Sequence, residues 1–166
     1  MKIKLSISPC PNDTFMFEAL VNGRIDTKGV DFDLRFDDIE RLNERVINGQ
    51  AQVSKISCAI LPLVWERYAM LRSGAALGRG NGPLLVARGD VDMHRPLKVA
   101  IPGEHTTANM LMNRLYPHIV DKPPHLFSEI AGVVARGECD AGVLIHEGRF
   151  TFRDKGLSLV ADLGAE

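Results

Sequence analysis

Apolar and polar positions alternate with period two along KIKLSIS (2–8) and again along VDFDLRF (30–36), the pattern of half-buried strands. Between them, Asn12, Asp13 and Thr14 offer caps for a helix carried by Phe15 to Val21, and Asn22-Gly23 offers its stop. DDIERLNERVINGQ (37–50) puts Ile39, Leu42, Val46 and Ile47 on one helical face and ends at Gly49. QVSKIS (52–57) reads as a third strand, CAILPLVWERY (58–68) as a short helix broken by Pro62, and AMLRSG (69–74) as a fourth strand.

A glycine-rich loop, SGAALGRGNGP (73–83), leads into the strand LLVARG (84–89). RGDVDMHRP (88–96) is polar and marked by proline, which suits a crossover between lobes. The pattern then restarts with LKVAIPG as strand, HTTANMLMNRLY and SEIAGVVARGEC as helices, and DAGVLIH and LSLVADLG as strands. Strands alternating with helices predict an α/β fold. The expected division is a first lobe over 1–90 and a second over 91–166, the latter including the start of a return crossover. Because VADLGAE stops just as a strand leaves the second unit, the first lobe is expected to be truncated, lacking its C-terminal return.

Composition narrows the function classes. The chain has 166 residues, 45% hydrophobic and 25% charged, within the range of globular proteins. A net charge of −1 argues against a nucleic-acid surface, and no apolar run approaches the roughly 20 residues of a membrane span. MKIKLSISPCPND does not read as a signal peptide, and the three widely spaced cysteines read as reduced thiols, so a cytoplasmic location is expected. The spacing of His94, His105, His118 and His125 gives no pair of metal ligands on one helix face.

Five stretches are candidates for chemistry. SPCPND (8–13) makes a rigid strand-to-helix turn whose helix-start amides can hold an anion, although a proline turn with a polar cap needs no ligand. VSKIS (53–57) ends a strand with Ser54, Lys55 and Ser57, where hydroxyls and an ammonium can grip a carboxylate or simply face solvent. GRGNG (78–82) lacks the Lys-Ser/Thr and following helix of a phosphate loop, so a hinge or close backbone packing accounts for it better. In PGEHTTAN (102–109), Thr106 caps a helix whose first-turn amides, Thr107 and Ala108, suit an anion, although a threonine cap by itself needs no ligand.

GVLIHEGRF (142–150) raises the sharpest question. AGVLI reads as a buried parallel strand, so His146 emerges at its carboxyl end. With an ordinary pKa of about 6.5, such a histidine can serve as a base, oriented by Glu147 or Arg149. A half-exposed histidine at a strand end is the plainer alternative.

Taken in order, SPCPNDTFMFEAL, KIS, RSGAALGRGNGPLLVARG, IPGEHTTA, GVLIHEGRFTF and the terminal DLG resemble the 1,4-dihydroxy-6-naphthoate synthase family of menaquinone biosynthesis by the futalosine pathway. The resemblance implies a two-lobed, type II periplasmic-binding-protein-like fold with substrate held in the cleft. It implies that His146 is the proton acceptor and that Ser54, Lys55, Ile56, Thr107 and Ala108 bind substrate. The implied reaction is a lyase step without cofactor or metal, converting cyclic dehypoxanthinylfutalosine to 1,4-dihydroxy-6-naphthoate and a dihydroxyacetone fragment. The implied partner is thus a small-molecule carboxylate. Cys58 stands where the family pattern leads one to expect an aromatic residue. Two other readings stay open, a chorismate dehydratase of the same pathway and a non-catalytic carboxylate-binding protein.

Overall fold

A computed structural model describes residues 1–165. The chain divides into two compact units, Met1–Leu77 and a second that starts at Gly78. The boundary thus falls earlier than residue 90, because Leu84–Ala87 hydrogen-bonds into the sheet of the second unit.

In the first unit, β1 (Lys2–Ile7), α1 (Pro11–Val21), β2 (Asp31–Phe36), α2 (Ile39–Ile47) and β3 (Val53–Ser54) form parallel crossovers. The sheet order is β2-β1-β3, with Leu5 opposite both Leu34 and Val53. Asp38 caps α2 by accepting from the Glu40 N–H at 2.9 Å, and the helix buries Leu42, Asn43 and Val46. Val46 packs with Ile60 and Val64 into a small core. Pro62 does not break a helix: it sits in the first turn of α3 (Leu61–Val64), where its missing N–H leaves no bond unmade. The expected strand AMLRSG does not form. Met70 and Leu71 are 72% and 61% exposed, and no strand of the described residues pairs with this stretch.

The second unit holds β4 (Leu84–Ala87), β5 (Val99–Ala100), α4 (Thr107–Leu115), α5 (Ile130–Ala135), β6 (Ala141–Leu144), α6 (Gly148–Thr151) and β7 (Ser158–Asp162). Its sheet order is β5-β6-β4-β7, with β5 parallel to β6 and β4 antiparallel to both neighbours. The sheet is therefore mixed. Because side chains alternate across a strand, each strand feeds two cores. Leu85, Ala87, Val99, Ala141 and Val143 pack with Ala108 and Met112 of α4. Leu84, Val86, Ala100 and Leu144 pack on the other face with Ile130 and Val134 of α5. Both faces are covered, which explains the uninterrupted apolar runs LLVA and AGVL.

Candidate active site

In the first unit, the turn SPCPND is organised by Asp13. Asp13 was expected to cap α1, but the helix starts earlier, at Pro11, with Cys10 as its cap residue and no side-chain cap bond. Asp13 instead lies in the first turn, 2% exposed, and its Oδ2 accepts from the Ser8 N–H at 2.9 Å. Its Oδ1 meets the Lys55 Nζ at 3.2 Å. Lys55 leaves the end of β3, where its backbone N–H donates to the Ser6 carbonyl at 2.9 Å and its Nζ also donates to the Gly74 carbonyl at 3.4 Å. Ser54 Oγ donates to the Lys55 carbonyl at 2.9 Å. Asn43, fully buried on α2, accepts from the Ser57 N–H at 2.8 Å and donates to Ser57 Oγ at 3.0 Å. The segment carrying Ser54, Lys55 and Ile56 is thus held from two helices.

In the second unit, Thr106 is the cap the sequence indicates. Its Oγ1 accepts from the Asn109 N–H at 3.2 Å and donates to the Gly103 carbonyl at 2.7 Å. With that hydroxyl engaged, the first-turn amides of Thr107 and Ala108 remain as donors that have no partner inside the helix. Asn109 is buried, its amide group donates to the Glu104 carbonyl at 2.8 Å, and its Oδ1 has no hydrogen-bond partner among the described residues. The geometry suits a carboxylate with a neighbouring donor.

His146 follows β6 with a backbone φ of 53°, in the left-handed region that side chains with a Cβ rarely occupy. Holding histidine there costs about 1–2 kcal/mol, which the flanking structure must offset. Such strain concentrates at functional positions. The imidazole meets the Phe127 ring edge-on, with centroids 5.4 Å apart and planes at 77°.

Arg149, considered as an orienting group for His146, has other partners. Its guanidinium donates to the carbonyls of Gly80 and Gly82 and pairs with Asp162 Oδ2 at 2.8 Å. The hydrogen bond from Arg149 holds the Asp162 carboxyl below the ordinary carboxylate range. Gly82 has a packing reason: a Cβ there would lie 2.4 Å from the Gly164 Cα, whereas Gly80 takes a left-handed φ of 66° and Gly78 meets nothing nearer than 3.5 Å. Close backbone packing therefore accounts for Gly82, and backbone conformation for Gly80. Glu147 is exposed. Among the described residues, no group of three His, Cys, Asp or Glu side chains is placed to hold a metal ion.

A family model described as menaquinone biosynthesis matches residues 3–166. The chain belongs to that family. Within the menaquinone biosynthesis family, a protein from Thermus thermophilus named 1,4-dihydroxy-6-naphtoate synthase is 46% identical over 98% of this chain and 59% of its own length. The chain therefore spans about three-fifths of the length of that relative. A crystal structure of a protein from Archaeoglobus fulgidus superposes with a TM-score of 0.91 at 36% identity, over 98% of this chain and 60% of that one. The alkanesulfonate-binding protein of Xanthomonas axonopodis superposes at a TM-score of 0.72 with 12% identity, over 97% of this chain and 60% of that one. That likeness identifies the fold of this menaquinone biosynthesis family member as periplasmic-binding-protein-like.

Three residues near the candidate site escaped the sequence reading: Asp13, Asn43 and Phe127. Asp13 looked like a cap because short polar residues gather at helix starts. Asn43 lies on the apolar face of α2, and a polar residue there signals a buried hydrogen-bonded role. Phe127 sits in a connection whose only sequence cue is its aromatic side chain.

Proposed function

We propose that this chain takes part in 1,4-dihydroxy-6-naphthoate formation, a carbon–carbon lyase step acting on cyclic dehypoxanthinylfutalosine in the cytoplasm. His146 takes a proton from the substrate, and the electron pair left behind drives cleavage that releases the naphthoate and a dihydroxyacetone fragment. Among the proposed substrate contacts, the second unit carries the amides of Thr107 and Ala108, which suit an aromatic carboxylate. The first unit carries Ser54, Lys55 and Ile56. The observation that carries this reading is the placement of His146, held with a left-handed backbone at the carboxyl end of the buried strand β6. A base gains from such fixation because proton transfer requires heavy atoms within about 2.6–3.2 Å. The family's role in menaquinone biosynthesis agrees with it.

The test offers the purified protein cyclic dehypoxanthinylfutalosine or chorismate separately and follows naphthoate formation by absorbance and mass. Naphthoate from the first substrate supports the reading. Dehydration of chorismate would replace it with the related dehydratase activity, and binding of either compound without turnover would leave a carboxylate-binding protein.

A further inference from the structure

Lys55 is the one cation among the proposed substrate contacts, and the obvious role for it is counter-ion to the substrate carboxylate. The charge balance around it argues otherwise. Asp13 is 2% exposed and lies 3.2 Å from the Lys55 Nζ, whose side chain is 19% exposed. A carboxylate that deeply buried is stabilised by the ammonium and by the Ser8 N–H, which donates to its other oxygen at 2.9 Å. The pair is neutral as a unit. A second carboxylate brought onto Lys55 would face Asp13, a like charge in a poorly solvated setting, which is unfavourable. An uncharged oxygen meets no such repulsion. An ammonium has three N–H donors. Asp13 and the Gly74 carbonyl take two of them, which leaves one for a ligand.

We infer that Asp13 is a positioning residue that fixes the Lys55 ammonium as a donor to an uncharged oxygen of the substrate, a hydroxyl or carbonyl, and not to its carboxylate. This rests on the proposed function for the identity of the substrate, while the Asp13–Lys55 pair stands on geometry alone. The pairing also fixes direction. Ser8 opens the turn after β1, Asp13 lies in the first turn of α1 and Lys55 follows β3, so one carboxylate ties three segments together at the carboxyl edge of the parallel sheet.

The experiment measures affinity for cyclic dehypoxanthinylfutalosine and for its carboxylate methyl ester by calorimetry. The proteins are wild type, Asp13→Asn, Lys55→Met and the double variant. Asparagine keeps an oxygen for the Ser8 N–H and removes only the charge. Loss of one partner of a hydrogen-bonded charge pair is expected to weaken binding about tenfold or more in either single variant. If Asp13 acts through Lys55, the double variant binds no more weakly than Lys55→Met alone. Esterification then weakens binding to wild type and to Lys55→Met by the same factor. Losses that multiply in the double variant would overturn the positioning role, and an ester penalty that shrinks in Lys55→Met would make Lys55 the carboxylate's counter-ion.

Acetylation of lysines followed by mass spectrometry gives a readout independent of substrate. Lys55 is expected to react several-fold faster in Asp13→Asn while Lys2 and Lys4 are unchanged. Equal rates at Lys55 would refute the pair, and faster reaction at all three would mean that the variant had unfolded. If the wild type binds neither compound while the acetylation contrast holds, the proposed function falls and the pair survives.

Discussion

Gly142 is the point where the packing of the second unit is least forgiving, and Gly142→Ala is the sharpest test of it. A Cβ at this position would lie 2.6 Å from Ile130 Cγ2 and 2.7 Å from Val134 Cγ2, both on α5. Ile130 and Val134 are fully buried, and β-branched side chains in a helix have essentially one χ1 rotamer, so neither methyl can swing away. Relief requires α5 to move off the sheet by about 1 Å, enough to restore ordinary carbon contacts of about 3.5–4.0 Å. That movement opens voids around Ala100, Leu144 and Phe152, which share the core. Overpacking of this kind costs about 1–3 kcal/mol, and two immobile contacts place this case at the upper end. For a chain of this size, that lowers Tm by about 5–10 °C. Thermal unfolding followed by circular dichroism reads the shift. Val134→Ala removes one of the clashing methyls, so the double variant is expected to be more stable than the sum of the single losses by at least about 0.5 kcal/mol. A Gly142→Ala protein that melts with the wild type, or strictly additive losses, would refute the close approach of β6 and α5.

Other outcomes follow from single contacts. The Asp162 carboxyl is held below its ordinary range by Arg149, so this pair stabilises the fold above the unfolded carboxylate value of about 3.9, and the contribution is lost as pH falls through the lower folded value. Arg149→Ala should therefore cost stability at pH 7 and progressively less in acid, and a Tm difference independent of pH would contradict the ion pair. Thr106→Ala removes the cap of α4 and should cost about 1 kcal/mol, while Thr106→Ser should retain most of it. Gly82→Ala should destabilise strongly because its Cβ meets backbone 2.4 Å away, whereas Gly78→Ala, with nothing nearer than 3.5 Å, should be close to neutral. Paired melting curves check both.

Much of this architecture was legible because local patterns and long-range packing agree. The alternation in KIKLSIS and VDFDLRF and the apolar face of α2 all correspond to the folded elements. AMLRSG failed because a strand exists only if another strand pairs with it, and apolar composition carries no information about partners. The antiparallel placement of β4 was hidden for a related reason. A strand buried on both faces reads the same whether its neighbours run parallel or antiparallel. At the candidate site, the turn, the helix cap and the strand-end histidine were visible as residue types. The Asp13–Lys55 pair was not, because its members are 42 positions apart and meet only through the β1-β3 pairing. The glycines at 82 and 164 likewise gain their meaning only when the loop and the end of β7 come together.

His146 is the proposed base, and the turnover of a variant lacking its imidazole is the most direct measurement. His146→Asn is the informative variant, since asparagine tolerates the left-handed backbone that alanine resists and so separates loss of the base from loss of the fold. With cyclic dehypoxanthinylfutalosine as substrate, naphthoate formation is expected to fall by about 100-fold or more while the melting temperature stays close to wild type. Turnover at the wild-type rate in a folded His146→Asn protein would contradict the assignment of the base.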